Sequence, residues 1–426
     1  MEKKLLKGAR AIDPSQNMDA FIDILIVDGY IREIKPNLEI SDAKVIDLTG
    51  LTVTPGLIDM HVHFRDPGYE YKEDIESGSM SAAAGGFTAV ACMPNTIPPI
   101  DNSALVEYVK TKASKVGKVK VLPIGCVSKG QRGEEITEMG DMAKAGAVAF
   151  SDDGRPIANS SLMRKAMVYA AMFDKVIIDH CEDPSLFEGG QINEGRVSTL
   201  LGLAGIPRAS EEIMVARDIL LARDMQTPVH IAHISTKGAV ELVRWAKQEG
   251  VRVTCEVAPH HLTLTEEAVM GYNTYAKVNP PLRTQEDIDA LLEGLSDGTI
   301  DAIATDHAPH HVDEKDVEFD KAAFGMVGLE TALGVILTKV VGKKGITLNT
   351  VIQKMTHGPA KVLGLDMGTL KAGNLADITV IDLEREWTVD KDKFFSKGRN
   401  TPFHGLKLKG KAVMTIVDGK IVYSEI

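Results

Sequence analysis

Three observations predict the fold class: eight short apolar runs alternating with helical stretches, strand-rich pieces with Asp-Gly turns at both chain ends, and chelating side chains where several apolar runs stop. Together they predict an α/β fold, a (β/α)8 TIM-like barrel with a small composite β-sandwich domain built from both chain ends. The apolar runs are 57–63, 87–93, 119–126, 147–152, 176–180, 229–233, 251–257 and 300–305. Between them apolar residues recur at intervals of three and four, as from Ser160 to Met172 and from Glu211 to Arg223. Eight β-then-α units in about 310 residues is the count of a barrel whose active site sits at the carboxyl ends of its strands.

The ends have a different pattern. Ala20–Val27 and Tyr30–Ile34 flank Asp28-Gly29, and an Asp-Gly pair between two such runs is a strong hairpin signal. Near the other terminus, Ala376–Asp382 is followed by Val413–Tyr423, which contains a second such pair, Asp418-Gly419. Neither end alone suffices for an independent sheet domain, so the two are expected to meet. The expected organisation is 1–54 and 366–426 as the two parts of the sandwich and 55–365 as the barrel.

With 426 residues, 44% of them hydrophobic and 25% charged, the chain has the composition of a soluble globular enzyme with a sizeable core. A formal charge of −12 argues against nucleic acid or an anionic membrane as partner. An anionic small substrate must therefore find a local positive site. Cys92, Cys126, Cys181 and Cys255 have no paired spacing, which argues against a disulfide framework or a cysteine zinc site and for a reducing compartment. Lys3, Lys4 and Lys7 are followed by Asp13, Pro14 and Asp19 rather than by a leader pattern, and no apolar run nears the ~18 residues of a membrane span. A cytoplasmic location is expected.

His61 and His63 lie two apart on the first predicted strand, so both imidazoles face one side, as a pair of metal donors would. Asp152-Asp153 end the fourth run, His180 the fifth and His233 the sixth, and Asp306 follows the eighth. Barrel closure would gather these donors although they are spread from 61 to 306. Four imidazoles and at least two carboxylates exceed the needs of one tetrahedral ion, which points to a binuclear centre with a carboxylate and a solvent molecule bridging. His230, His260, His261, His357 and His404 do not share the strand-end position and are read as structural.

Five motifs carry a resemblance: Gly56-Leu57-Ile58-Asp59-Met60-His61-Val62-His63-Phe64-Arg65-Asp66-Pro67-Gly68, Met93-Pro94-Asn95-Thr96, Phe150-Ser151-Asp152-Asp153-Gly154, Asp306-His307-Ala308-Pro309-His310 and Gly328-Leu329-Glu330-Thr331. Over nearly its whole length the chain resembles the amidohydrolase superfamily and, within it, the class I dihydroorotases. The resemblance implies a cyclic amide hydrolase with two zinc ions per subunit that interconverts N-carbamoyl-L-aspartate and dihydroorotate in pyrimidine biosynthesis. A metal-bridging hydroxide would attack the ring amide, with Asp306 as ligand and acid/base. It implies His61 and His63 on the first ion, His180 and His233 on the second, and Asp153 between them.

Many relatives bridge the ions with a carboxylated lysine, whereas here the fourth run ends in two aspartates and Lys144 and Lys165 fall on helical stretches. Asp153 is the expected bridge, with Asp152 the alternative. Arg65 leaves the first strand toward the same mouth, and its planar fork suits a carboxylate. By the resemblance Asn95, Asn279 and His310 complete the substrate pocket. The charged, glycine-punctuated stretch 310–328 reads as a flap. It has Ala322-Ala323 before Phe324-Gly325, where relatives often carry proline. The nearest rival substrates are hydantoins, dihydropyrimidines and allantoin, and a rival of another class is a metal-free scaffold. The resemblance leaves open a homo-oligomer and an aspartate transcarbamoylase partner.

Overall fold

The structure, a computed structural model, describes residues 2–426. Its centre is a ring of parallel strands. Leu57–Val62, Phe87–Cys92 and Lys120–Pro123 pair in that order, as do Ile177–Asp179, Val229–Ile231, Val253–Val257 and Ala302–Ile303. Two narrow seams join the groups. Phe150 bridges Gly125 on one side and Ile177 on the other, so the fourth predicted strand is present as isolated bridges. Val62 bridges His307, and the His63 N–H donates to the His307 carbonyl at 2.9 Å, which closes the barrel. Asp59 reinforces this closure, since its carboxylate accepts from the backbone N–H of Thr305 at 3.1 Å.

The strands are short and almost wholly buried, as parallel strands covered on both sides must be. One helix follows each strand position: Ile75–Ala84, Ser103–Val116, Met139–Ala145, Ser160–Ala171, Arg208–Met225, Lys237–Gln248, Gln285–Asp297 and Ala332–Lys339. Several start on side-chain caps. Asp74 accepts from the Ser77 N–H at 2.8 Å and Asn102 from Leu105 at 3.1 Å, caps worth about 1 kcal/mol each. Apolar faces such as Val106 and Val109, or Leu162, Met163, Ala166 and Met167, pack onto the strands as one large cluster.

Both chain ends join one hydrogen-bonded sheet of eight strands among the described residues. Thr52–Pro55, just before the barrel, pairs with Ile378–Thr388, just after it, and with Lys3–Asp13. Lys3–Asp13 and Met18–Val27 are long enough to serve two halves of the sheet, with a register shift between Leu6 and Ala9 that holds Gly8 at φ +78°. Leu6, Ile24, Ile31, Val53, Ile378, Val413 and Ile416 from both ends close on one apolar cluster. Both expected Asp-Gly turns form, with φ of 49° and 88° at Asp28-Gly29 and 49° and 74° at Asp418-Gly419. The sheet abuts the barrel where Gly86 sits at φ +91°; a Cβ there would stand 2.8 Å from the Thr379 methyl and 2.9 Å from Ala412 Cβ. No helix among the described residues is long and apolar enough to cross a membrane.

Candidate metal centre and substrate pocket

At the carboxyl end of the barrel six side chains converge, each delivered by the end of a different strand or by neighbouring positions on one. His61 Nε2 lies 3.3 Å from Asp153 Oδ1 and 3.6 Å from Asp306 Oδ1. His63 Nε2 is 3.0 Å from Asp306 Oδ1 and 3.5 Å from Asp153 Oδ2. On the other flank, His180 Nδ1 and His233 Nε2 are 3.6 and 3.5 Å from Asp153 Oδ1 and 3.0 Å from each other. Asp153 therefore stands between two imidazole pairs. Asp306 joins the first pair.

This arrangement fits metal ions. Donors about 2.0–2.1 Å from a tetrahedral zinc-like ion stand about 3.3 Å from one another, close to the spacings observed. His61, His63 and Asp306 form one set, and His61, Asp153 and His233 another, with ligand atoms within 4.8 Å in each. His61 Nε2 and Asp153 Oδ1 are buried without a hydrogen-bond partner, and buried polar atoms are rarely left so. The field points the same way. Burial works against a charged His61, yet Asp153 and Glu256 outweigh it and raise its pKa well above the ordinary value. Burial likewise opposes an ionised Asp153, yet the neighbouring imidazoles, His61 foremost, hold it well below the carboxylate range. Positive charge is favoured at His61 beside Asp153 and Glu256, whereas burial and Arg65 lower the pKa of His63.

Asp152 is turned elsewhere. Its carboxylate accepts from the backbone N–H groups of Val127 at 2.8 Å and Ser128 at 3.1 Å and from the Ser128 hydroxyl. Burial raises its pKa to about 6 against the pull of those bonds. Of the two acids, the geometry places Asp153 among the imidazoles.

Outer contacts orient the ligands. His61 Nδ1 meets Glu256 Oε1 at 2.6 Å and His63 Nδ1 meets Asn95 Oδ1 at 2.9 Å, so each ring presents Nε2 to the centre. Glu256 was not among the sequence-predicted site residues. The available signal was a glutamate inside the buried strand Val253–Val257. His260, read as structural, has a buried Nε2 without a partner, while His261 Nε2 contacts the Pro280 carbonyl at 2.9 Å.

Above the centre lies a cavity of about 370 Å³ lined by Arg65, Asn95, Asn279, His310, Phe324 and Gly325 together with the imidazoles and acids. Arg65, held at φ 62°, donates from Nε to the Pro309 carbonyl at 3.3 Å and has no carboxylate within ion-pair distance among the described residues. Asn279 Nδ2 lies 3.4 Å from His180 Nε2, and its Oδ1 is buried without a partner. His310 Nε2 donates to the Phe324 carbonyl at 2.8 Å, and burial lowers its pKa to about 3.

The loop bearing Phe324 and Gly325 is anchored from below by two buried lysines. Lys315 Nζ donates to the carbonyls of Ala323 at 2.6 Å, Gly325 at 3.1 Å and Lys277 at 3.3 Å. Lys277 Nζ donates to Phe319 at 2.7 Å and Asp320 at 3.3 Å.

With the geometry described, comparison with known proteins places it. A model described as "Amidohydrolase family" matches residues 323–423. The solved L-hydantoinase (dihydropyrimidinase) from Arthrobacter aurescens is similar over all of this chain and 97% of its own, with a TM-score of 0.91 and 29% identity. A D-hydantoinase (dihydropyrimidinase) from Thermus sp. gives 0.82 at 24% identity over 99% of this chain and 95% of its own, a likeness of fold. The fold and the site thus define a metal-dependent cyclic amide hydrolase of the amidohydrolase superfamily.

Curated sequences narrow this further. The dihydroorotase of Acetivibrio thermocellus is 55% identical over 421 residues, 99% of this chain and 99% of its own. That of Citrifermentans bemidjiense is 56% identical over 420 residues, 98% and 99% respectively. A model described as "Dihydro-orotase-like" matches residues 50–239. The chain belongs to the dihydroorotase family.

Proposed function

We propose that this chain is a cytoplasmic dihydroorotase that reversibly cyclises N-carbamoyl-L-aspartate to dihydroorotate and water, using two zinc ions. One ion would be held by His61, His63 and Asp306, the other by His180 and His233, with Asp153 shared. When bound, the metal supplies water activated at neutral pH and polarises the amide carbonyl. The observation that carries the reading is Arg65, a guanidinium with no acid partner among the described residues, over an otherwise complete set of chelating residues. An anion clamp next to a centre for opening amides matches a substrate that carries both a ring amide and a carboxylate.

The chain's own residues then have distinct tasks. Arg65 pairs with the substrate carboxylate through its fork, and Asn95, whose Oδ1 is engaged by His63, offers its amide N–H groups. Asn279 and His310 border the ring, and Phe324 and Gly325 cover it. Asp306, kept ionised by His63 and His61 despite burial, accepts the proton from the attacking water. It returns that proton to the ring nitrogen as the C–N bond breaks. Cyclisation runs the same transfers backwards. A homo-oligomer and an aspartate transcarbamoylase partner are both compatible with this reading.

The test is a substrate comparison joined to metal analysis on one sample. Dihydroorotate is expected to be hydrolysed in proportion to bound zinc and in strong preference to hydantoin, dihydrouracil and allantoin. Asp306→Asn is expected to keep most of the metal and lose on the order of 10²-fold or more in turnover. Faster turnover of hydantoin than of dihydroorotate would overturn the substrate reading, and near-wild-type turnover in Asp306→Asn would remove its proton role.

A further inference from the structure

A cavity with a basic lining lies at the other end of the barrel. Val176, Pro228, Val253 and Asp301 stand at the starts of four consecutive strand positions and line a space of about 570 Å³, opposite the carboxyl-end metal ligands. The volume is in the range of small-molecule sites. Its cationic lining comes from Lys175, Arg252, Lys354 and Lys361, with His357 beside them. Against these stand two carboxylates, Asp174 and Asp301. In a chain with a net charge of −12, this is a local reversal of sign.

The decisive side chain is Lys354. It is 8% exposed and lines the cavity, yet among the described residues no hydrogen bond or ion pair reaches its Nζ. Asp301, the acid that attracts it, is already engaged: its Oδ2 accepts from Lys247 Nζ at 2.7 Å and from the Cys255 N–H at 2.9 Å. The stem of Lys354 is packed away while its Nζ opens into the cavity, so an ammonium with no acid in contact faces that space and attracts an anion. Lys175 and Lys361 are also without ion-pair partners among the described residues, and exposed Arg252 makes only a 3.4 Å contact to the Gln226 carbonyl. The geometry points to a second binding site in this cavity, for a dianionic phosphate group, with Lys354 beneath the anion and Arg252, Lys361 and Lys175 at its mouth. Phosphate suits the site better than a single carboxylate because Lys175, Arg252, Lys354 and Lys361 bring more positive charge than one carboxylate would neutralise.

Calorimetric titration of the full chain in phosphate-free buffer, with ribose 5-phosphate, inorganic phosphate and ribose as probes, tests the assignment. Saturable binding of a phosphate probe at one per chain is expected, with ribose silent, and it persists in Arg65→Ala, which lacks the guanidinium of the other pocket. Lys354→Met is expected to weaken it about tenfold or more, a change of about 1.4 kcal/mol. The double variant Arg252→Gln with Lys361→Gln, altered only at exposed positions, is expected to do the same and covers a misfolded Lys354→Met. Tighter binding of ribose 5-phosphate assigns an organic phosphate ester as the occupant, and equal binding assigns free phosphate. No saturable binding of either up to about 10 mM, or undiminished binding in the double variant, overturns the site.

Discussion

His61 Nδ1 and Glu256 Oε1 stand 2.6 Å apart, tying the first barrel strand to the seventh directly behind the chelating cluster. Glu256 is fully buried, and although burial opposes its ionisation, His61 holds its pKa down to about 2. The other carboxylate oxygen lies 3.3 Å from His230 Nε2. An ionised acid here fixes the ring of His61 and makes its Nε2 a better donor. Glu256→Gln keeps the shape and removes the charge. Metal affinity is expected to fall roughly ten- to a hundredfold, measured by competition with a chelator, while turnover per bound metal stays near the parent value. An unchanged affinity would show that Glu256 only fills space.

Arg65 gives a different signature. Its guanidinium has no acid partner to lose, so Arg65→Ala leaves no orphaned carboxylate behind and little loss of stability is expected. Loss of a charged hydrogen-bonded pair with the substrate costs about 1.5–3 kcal/mol, or roughly ten- to 150-fold in kcat/KM. Steady-state kinetics with dihydroorotate should place most of that in KM, and a truncated substrate analogue lacking the carboxylate should be processed equally by parent and variant. Equal loss for both compounds would mean that Arg65 does not hold the carboxylate.

The Phe324–Gly325 loop depends on Lys315, which is completely buried and matches three ammonium N–H groups to three backbone carbonyls. Burial lowers its pKa to about 7. Lys315→Met is expected to leave the Ala323 carbonyl unpaired, with the Lys277 carbonyl held only by the Gly325 N–H and the Gly325 carbonyl only by Asn400 Nδ2, and so to loosen the loop, raising KM severalfold with a smaller change in kcat. Hydrogen exchange at the amides of 319–325 should quicken, and unchanged exchange would mean that the loop is held by its other contacts.

How far the chain could be read in advance depended on whether a feature is local. Parallel strands buried on both faces read as continuous apolar runs, so Leu57–Val62, Phe87–Cys92 and Val253–Val257 stood out. The run 147–152 misled in one respect, since only Phe150 makes bridges there before Ser151, Asp152 and Asp153 turn to side-chain work. Period-two spacing put His61 and His63 on one face, but it could not choose between Asp152 and Asp153. That choice is made by Ser128 and Val127, whose N–H groups are brought to Asp152 by the third strand's exit loop. The Lys277 and Lys315 anchors and the unpaired Lys354 were invisible for the same reason, and Glu256 showed only as an acid within an apolar run. Their meaning lies in partners, or missing partners, distant in sequence.

Glu330 makes stability depend on pH. Its Oε1 accepts from Ser81 Oγ and the Phe395 N–H, each at 2.9 Å, and from the Ser396 N–H at 3.1 Å, linking the first barrel helix to the C-terminal segment. Burial outweighs those bonds and, with Glu73 nearby, raises the pKa from 4.5 to about 7. The folded state therefore holds a proton that the unfolded chain releases between those values. The resulting stabilisation is fully present below about pH 4.5 and is lost as pH rises through 7, a difference on the order of 3 kcal/mol. Glu330→Gln keeps the accepting oxygen and cannot ionise. Urea unfolding at pH 5 and pH 8 should give a smaller stability difference for Glu330→Gln than for the parent chain, with the variant the more stable of the two at pH 8. Equal differences would mean that the carboxyl ionises in the folded chain as it does in water.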